Sequence, residues 1–236
     1  ILVRNIVNLK EVVPDMIFGD FVNEWINFLN LDLVVDNQDV YLNFLDNQIN
    51  YNDSVDLRLK EVLEPKKEFN QLDSILLKFD NISDSAIEYT SVLAKGSEIS
   101  YEEIGLNDDT EEIMIDILPL SQKTKYGVTT AYFDDNGGNK KIYAVLYNGL
   151  QNNLNTTLDV TPILLPSIHK LFHENWFLFR LFAVNYQWSF KMYLEELLKI
   201  KKKVFAYGRY MVVKTIDKTQ ISEDLFEVEI EAETLP

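Results

Sequence analysis

His169 and His173 are the only histidines in the 236-residue chain, and they stand four residues apart. On a helix that spacing puts both imidazoles on one face, which suits a metal ion. Glu174 follows directly and is a third candidate ligand. A zinc hydrolase carries its general-base glutamate just after the first histidine, and here that position holds Lys170. DDNGGN, at 134–139, has some of the look of a calcium loop. Counted from Asp134, the positions that need Gly and a bidentate Glu hold Asn139 and Val145, so a hairpin turn explains the stretch better. Acids pair at Glu102–Glu103, Asp108–Asp109 and Glu195–Glu196. Neighbouring acids read as one solvated face, whereas glycoside hydrolysis needs two carboxylates facing each other across a cleft. No G-x-S-x-G and no Gly-rich phosphate loop occurs. The chain has no cysteine, which removes thiolate catalysis, disulfides and Cys-based zinc sites together. These residues therefore predict no enzyme, no catalytic residue and no cofactor. The group His169, His173 and Glu174 remains as the metal alternative.

The net charge is −16, from 22 basic and 38 acidic residues. Such a surface repels nucleic acid and anionic lipid, which argues against a sequence-specific nucleic-acid binder. Solubility explains it most simply. A surface that DNA must pass without sticking, or one that mimics DNA, would carry the same charge. The one basic run is KIKKK, 199–203. It can complement the C-terminal dipole of a preceding helix or meet an acidic neighbour. WFLFRLFAVNYQWSF, 176–190, concentrates aromatic residues around a single charge. Its members Trp176, Phe177, Phe179, Tyr186, Trp188 and Phe190 are either core or an oligomer interface, since exposed aromatic patches mark contacts. No apolar run of about 18 residues is present, so no membrane-spanning segment is expected. The chain begins with Ile and has no leader pattern, which points to a fragment or a processed product.

The elements that would position these residues follow from periodicity. ILVRNIVNLKEVV at the start is apolar and β-branched and reads as strand, ended by Pro14. A helix is expected over 18–29, with Phe21, Val22, Trp25, Phe28 and Leu29 on its apolar face and Asn23, Glu24 and Asn27 opposite. Asn30 is a left-handed C-cap. Strands 31–36 and 40–46 should form a hairpin. Further strands are expected at 54–65 (Val55, Leu57 and Leu59 facing one way), 74–80 and 113–120. Residues 83–95 read as either strand or helix, 107–112 as an acidic loop and 150–157 as a polar loop. YGVTTAYF and KIYAVLY should pair across Asn136-Gly137, a strong hairpin signal. A short helix or an irregular aromatic segment is expected at 167–176. Another helix, over 192–199, should place Leu194, Leu197 and Leu198 on one side. The end is strand at 203–217 and 225–235. The predicted class is α+β and β-rich: antiparallel barrel-like modules, one bracing helix near the N-terminus and short helices later. The domains expected are 1–120 and 121–236.

VVPDMIFGDFVNEWINFLNLDLVVD resembles a segment of the tail-hub (baseplate) proteins of Bacteroidetes phages. There a Pro-Asp-Met step leads into a helix that begins near Asp-Phe, and then into Phe-Asn-Leu and a strand. The matching positions are Pro14, Asp15, Met16, Asp20, Phe21 and Leu29-Asn30-Leu31, with Leu29 where the aromatic is usual and Ile17 in place of a Ser or Thr cap. VDLRLKEVLEP, LLKFD and the closing YLEELLKIKKKVFAYGRYMVVKTID are similar to later pieces of such hubs, so the resemblance spans about half of the chain in patches. It implies a virion structural protein, related in architecture to the hub of contractile injection machines. Such a protein assembles as a trimer or other ring at the end of the tail tube, with other tail proteins as neighbours. DNA would pass through the ring, and an acidic lumen would keep it mobile. The alternative from composition is an acidic monomeric binding or inhibitor module that sequesters a basic partner.

Overall fold

In a computed structural model of the chain, the residues described are 16–36, 38–49, 53–80, 88–125, 127–132, 142–151, 154–158 and 160–236. The strand expected at 1–13 and the Asn136-Gly137 turn lie outside them. The expected helix is present as α1, Phe18–Leu29. Ile17 precedes it in extended backbone with no side-chain cap, and Asp20 in the first turn favours the dipole. α1 stops where Asn30 turns left-handed (φ 52°, ψ 59°) and its N–H donates to the Ile26 carbonyl. Trp25 lies edge-on between Phe21 and Phe28, at 6.4 and 5.8 Å. Of the apolar face only Phe28 is fully buried. The opposite face is not all solvated: Asn23 is exposed, but Glu24 accepts the Asp116 N–H (3.0 Å) and Asn27 donates to the Met114 carbonyl (3.3 Å). The helix braces the adjoining strand with polar groups as well as apolar ones.

After Asn30 the chain reverses into β1 (Leu31–Asp36) and β2 (Asp39–Phe44), which pair as a two-stranded ribbon. β3 (Val55–Asp56) and β4 (Lys66–Phe69) follow. Between them the expected strand gives way to a short 3₁₀ turn, Arg58–Lys60, which buries Leu57 and turns Leu59 outward, 98% exposed. Two compact units result, each from two stretches of chain: Ile1–Asn43 with Ser74–Glu174, and Phe44–Asp73 with Asn175–Pro236. This division cuts across the halves 1–120 and 121–236 expected from sequence.

In the first unit β5 (Ser74–Phe79), β6 (Ser91–Lys95), β7 (Glu98–Ser100) and β8 (Thr110–Ile115) form one sheet in the order β7-β6-β5-β8, with β5 and β8 parallel. Ile75, Leu76 and Leu77 are all buried on β5. A strand covered on both faces takes a continuous apolar run rather than alternation. β8 begins within the stretch expected as an acidic loop, and Lys78 holds Glu112 across it at 2.8 Å. β9 (Ile117–Pro119), β10 (Ser121–Lys125), β11 (Val128–Tyr132), β12 (Ile142–Ala144), β13 (Tyr147–Gln151) and β14 (Leu154–Thr157) then pair locally. Among the described residues of 126–147, β11 and β12 do not pair with each other as the expected hairpin would require. β11 pairs with β10, which is equally polar, while β12 lies parallel to β9 and buries Ile142 with Ile117 and Leu118. Residues 150–157, expected as a loop, belong to the hairpin β13–β14. A continuous helical run then passes through α2 (Leu165–Ile168), a π-helical turn (His169–His173) and α3 (Glu174–Phe182).

The second unit is built on one six-stranded sheet. β15 (Val184–Tyr193), β16 (Lys203–Ala206), β17 (Arg209–Gln220) and β18 (Leu225–Thr234) join β3 and β4 in the order β3-β16-β17-β18-β15-β4. β15 buries every second residue (Val184, Tyr186, Trp188, Phe190 and Met192), and β18 answers with Val228, Ile230 and Ala232. The aromatic stretch 176–190 showed no single period because it is helix up to Phe182 and strand from Val184. The strand expected over 203–217 is split by a two-residue turn, Tyr207 (φ 52°) and Gly208 (φ 69°). A left-handed tyrosine is strained, and it is held in place. Its hydroxyl accepts the Val62 N–H (2.9 Å) and its ring packs on Tyr186 and Trp188. α4 (Leu194–Leu197) buries Leu197 but leaves Leu198 70% exposed, so the three leucines expected on one side do not share one environment. The class is α+β and strand-rich, but among the described residues no sheet closes into a barrel: β3 and β4 are open edges.

Leu76→Ala, at the centre of β5, should lower stability by about 2–5 kcal/mol. Leu59→Ala should stay within about 0.5 kcal/mol. Urea unfolding followed by tryptophan fluorescence and circular dichroism measures both.

Candidate functional site

The two histidines sit where the helical run is widest. In the π turn the Glu174 N–H donates to the His169 carbonyl, five residues back. Such turns are rare and frequent at functional sites. His169 and His173 are both buried. The Nε2 of His173 donates to the Phe28 carbonyl at 3.3 Å, and Asn30 Nδ2 donates to the Phe172 carbonyl at 2.8 Å. The end of α1 and the π turn thus hold each other by two bonds. Burial, opposed by the Phe28 bond, pushes His173 down to about 4, and burial lowers His169 as well. Both imidazoles are neutral at pH 7, as metal ligands must be. Among the described residues, however, no three His, Cys, Asp or Glu side chains are grouped to hold a metal ion. The pair instead serves as packing inside the first unit, where His173 completes the end of α1.

The remaining sequence candidates separate. DDNGGN falls outside the described residues. Glu102, Glu103, Asp108 and Asp109 are exposed. Glu196 accepts the Tyr193 N–H (3.2 Å) at the start of α4 and pairs with Lys60 at 2.9 Å, and these bonds hold its carboxyl below the usual range. Of the aromatic candidates, Phe177, Phe179, Tyr186, Trp188 and Phe190 are buried within the single chain, and half-buried Trp176 stacks on Phe179 at 5.3 Å. The five buried ones belong to the core of the second unit, so in the single chain they are not an exposed contact patch.

Two features of the surface were not anticipated. The first is a groove of about 580 Å³ in the second unit, lined by Ile49, Leu178, Phe179, Phe182 and Leu235, with Asp46 and Asn175 bonded to each other at 3.0 Å. Nearby, buried Glu233 is held by Arg180 at 2.5 Å and Lys214 at 3.4 Å. The second is the β1–β2 ribbon. Every residue of β2 is exposed. Leu33, Val35, Val40, Tyr41, Leu42 and Phe44 all present apolar surface, with Val35 63% and Val40 61% exposed. A two-stranded ribbon is marginal alone, and an exposed apolar strand edge invites pairing. The sequence signal was present: 31–44 has apolar residues at both parities and no cation. Read locally, it looked like a strand buried on its own core.

No protein-family model matches this chain, and no curated protein matches it. No described helix is long and apolar enough to cross a membrane.

Asn30→Gly keeps the left-handed turn but removes the amide's bond to the Phe172 carbonyl, for a loss of about 0.5–1.5 kcal/mol. Asn30→Ala adds about 1–2 kcal/mol of left-handed strain, so urea unfolding should rank Ala below Gly. The His173 contribution is full above about pH 6.5, because the unfolded imidazole is then neutral too. It falls away as pH drops towards about 4, where the folded imidazole protonates. Over that window roughly 3 kcal/mol is lost. Imidazole proton shifts measured by NMR against pH should show His173 titrating near 4 and His169 below its ordinary value.

Proposed function

We propose that this protein is a structural component of a phage tail hub or baseplate, or of a related injection apparatus, and that it works by ring assembly. Its partners are copies of itself, as a trimer or other ring, and other tail proteins. It resides in the virion after assembly in the host cytoplasm. In this reading it transforms no molecule and needs no cofactor. The observation that carries the proposal is the exposed apolar β1–β2 ribbon, since large apolar side chains exposed together on one element mark a contact. The patchy likeness of 14–31 and the closing strands to tail hubs supports it, as does the strand-rich architecture. The net charge of −16 suits a ring through which DNA moves.

A second reading is favoured by one face of β18. Glu227, Glu229 and Glu231 alternate with its buried residues, and Asp217 of β17 sits in register with Glu229. A monomeric acidic module that sequesters a basic partner would present such a face.

Sedimentation velocity separates the two. A ring component should shift from subunit to trimer or larger ring as concentration rises. A chain that stays monomeric, and binds a cationic partner such as polylysine in a way that fades with salt, would favour the second reading.

A further inference from the structure

The groove of the second unit is built by three short pieces of chain. α3 contributes Leu178, Phe179 and Phe182, spaced so that they share one helix face with Asn175. A 3₁₀ turn, Leu45–Ile49, contributes Asp46 and Ile49, and Leu235 closes the groove from just beyond β18. Phe179 is buried, whereas Phe182 and Leu235 are left 48% and 44% exposed. The volume of about 580 Å³ falls within the roughly 300–1,000 Å³ of a pocket for one small ligand. Seven residues line it, against the roughly 20–30 a side of a protein interface, so its size suits a small molecule rather than a macromolecule.

The polar side chains at the groove are one carboxylate and one carboxamide. Asn175 Nδ2 donates to Asp46 Oδ2 at 3.0 Å. Asp46 Oδ1 is buried and takes no hydrogen bond from any described residue. Among the described residues no cation pairs with Asp46. The cations bonded to adjoining residues are directed elsewhere. Lys203 donates to the Asn47 carbonyl (2.9 Å), Arg209 to the Leu235 carbonyl (2.8 Å), and Arg180 to Glu233. None of these three lines the groove. Asp46 thus carries its charge beside apolar side chains with a single neutral donor. A carboxylate so placed is under-compensated, and it favours positive charge beside it.

We infer that this groove binds a small apolar amine, its chain against Leu178, Phe182 and Leu235 and its ammonium beside Asp46. Ring assembly does not require such a site, so the inference stands apart from the reading above. Burial of the apolar chain supplies the attraction. Charge selects the head group. An ammonium offsets Asp46 through space, with no direct bond to the buried Oδ1 needed, and a carboxylate on the same chain is repelled.

The test is an NMR titration of the backbone amides of the full chain with octylammonium, octanol and octanoate, which share one apolar body. Octylammonium should bind about fivefold more tightly than octanol, and octanoate more weakly than either. The preference for the amine should shrink as salt rises. The shifted amides should cluster at 45–49, 175–182 and 235. Two variants, checked for folding by circular dichroism, separate the head group from the chain. Asp46→Asn keeps the shape of the side chain and should bring octylammonium down to the affinity of octanol, with octanol unchanged. Phe182→Ser should weaken all three probes. In the wild type alone, equal binding of octylammonium and octanoate, no binding of octylammonium, or shifts centred elsewhere overturns the inference. A folded Asp46→Asn protein that keeps the amine preference also overturns it, because the negative charge of the whole chain then accounts for that preference. So does a folded Phe182→Ser protein that binds the probes as the wild type does.

Discussion

Asn30 occupies a left-handed backbone position with its side chain buried, and the arrangement of the first unit depends on both. The left-handed turn ends α1 and sends the chain directly into β1. A residue restricted to right-handed or extended backbone would let the helix run on or leave its last carbonyls unmatched. The amide meanwhile reaches 142 residues along the chain to the Phe172 carbonyl, in the helical run where the spacing has widened to a π turn. A wider turn disturbs the regular ladder of bonds, and a donor from outside the run can bridge to its carbonyls. Asn30 provides it, while His173 returns a bond to the carbonyl of Phe28, two residues before Asn30.

That reciprocity gives the histidine pair a physical role different from the one its spacing suggested. An imidazole deep in a protein is kept neutral by the cost of desolvating its charge. Here that neutrality serves a hydrogen bond to one of the last carbonyls of α1. The same low-dielectric surroundings that would suit a metal ligand also suit a packed structural histidine, and the lack of a third grouped ligand among the described residues distinguishes them. In the second unit the comparable buried ionic feature is Glu233, held between Arg180 and Lys214 at the end of β18. A carboxylate so deeply enclosed is tolerable only because two cations reach it.

The interior and the ribbon follow opposite rules. β15 and β18 place their large side chains on one face and their polar ones on the other, as a sheet with one covered face requires. β1 and β2 are apolar too, yet nothing among the described residues covers β2. Apolar surface left in water is unfavourable by about 25 cal/mol per Å². A surface that covered β2 would recover that free energy.

Helix α1 and its cap, strand 74–79 and the alternation of β18 were legible in sequence because each is decided locally: by a 3.6-residue stripe, by an asparagine suited to left-handed backbone, and by runs of period one or two. Strand pairing was not legible. Val128–Tyr132 had a strong turn signal on one side and joined the strand on the other, because matching its polar neighbour and freeing Ile142 to bury beside Ile117 involve residues far from the turn. Leu59 and Leu198 fit their local patterns and still face water, since one short turn rotated each away from the core. Sequence by itself determined which segments could become helix or strand, and that the chain is acidic with no thiol chemistry. Only the tertiary structure decided which apolar faces are covered, because burial depends on what packs from elsewhere in the chain. That is why Phe177, Phe179, Tyr186, Trp188 and Phe190 became core, with Phe182 left half exposed, while all of β2 became surface.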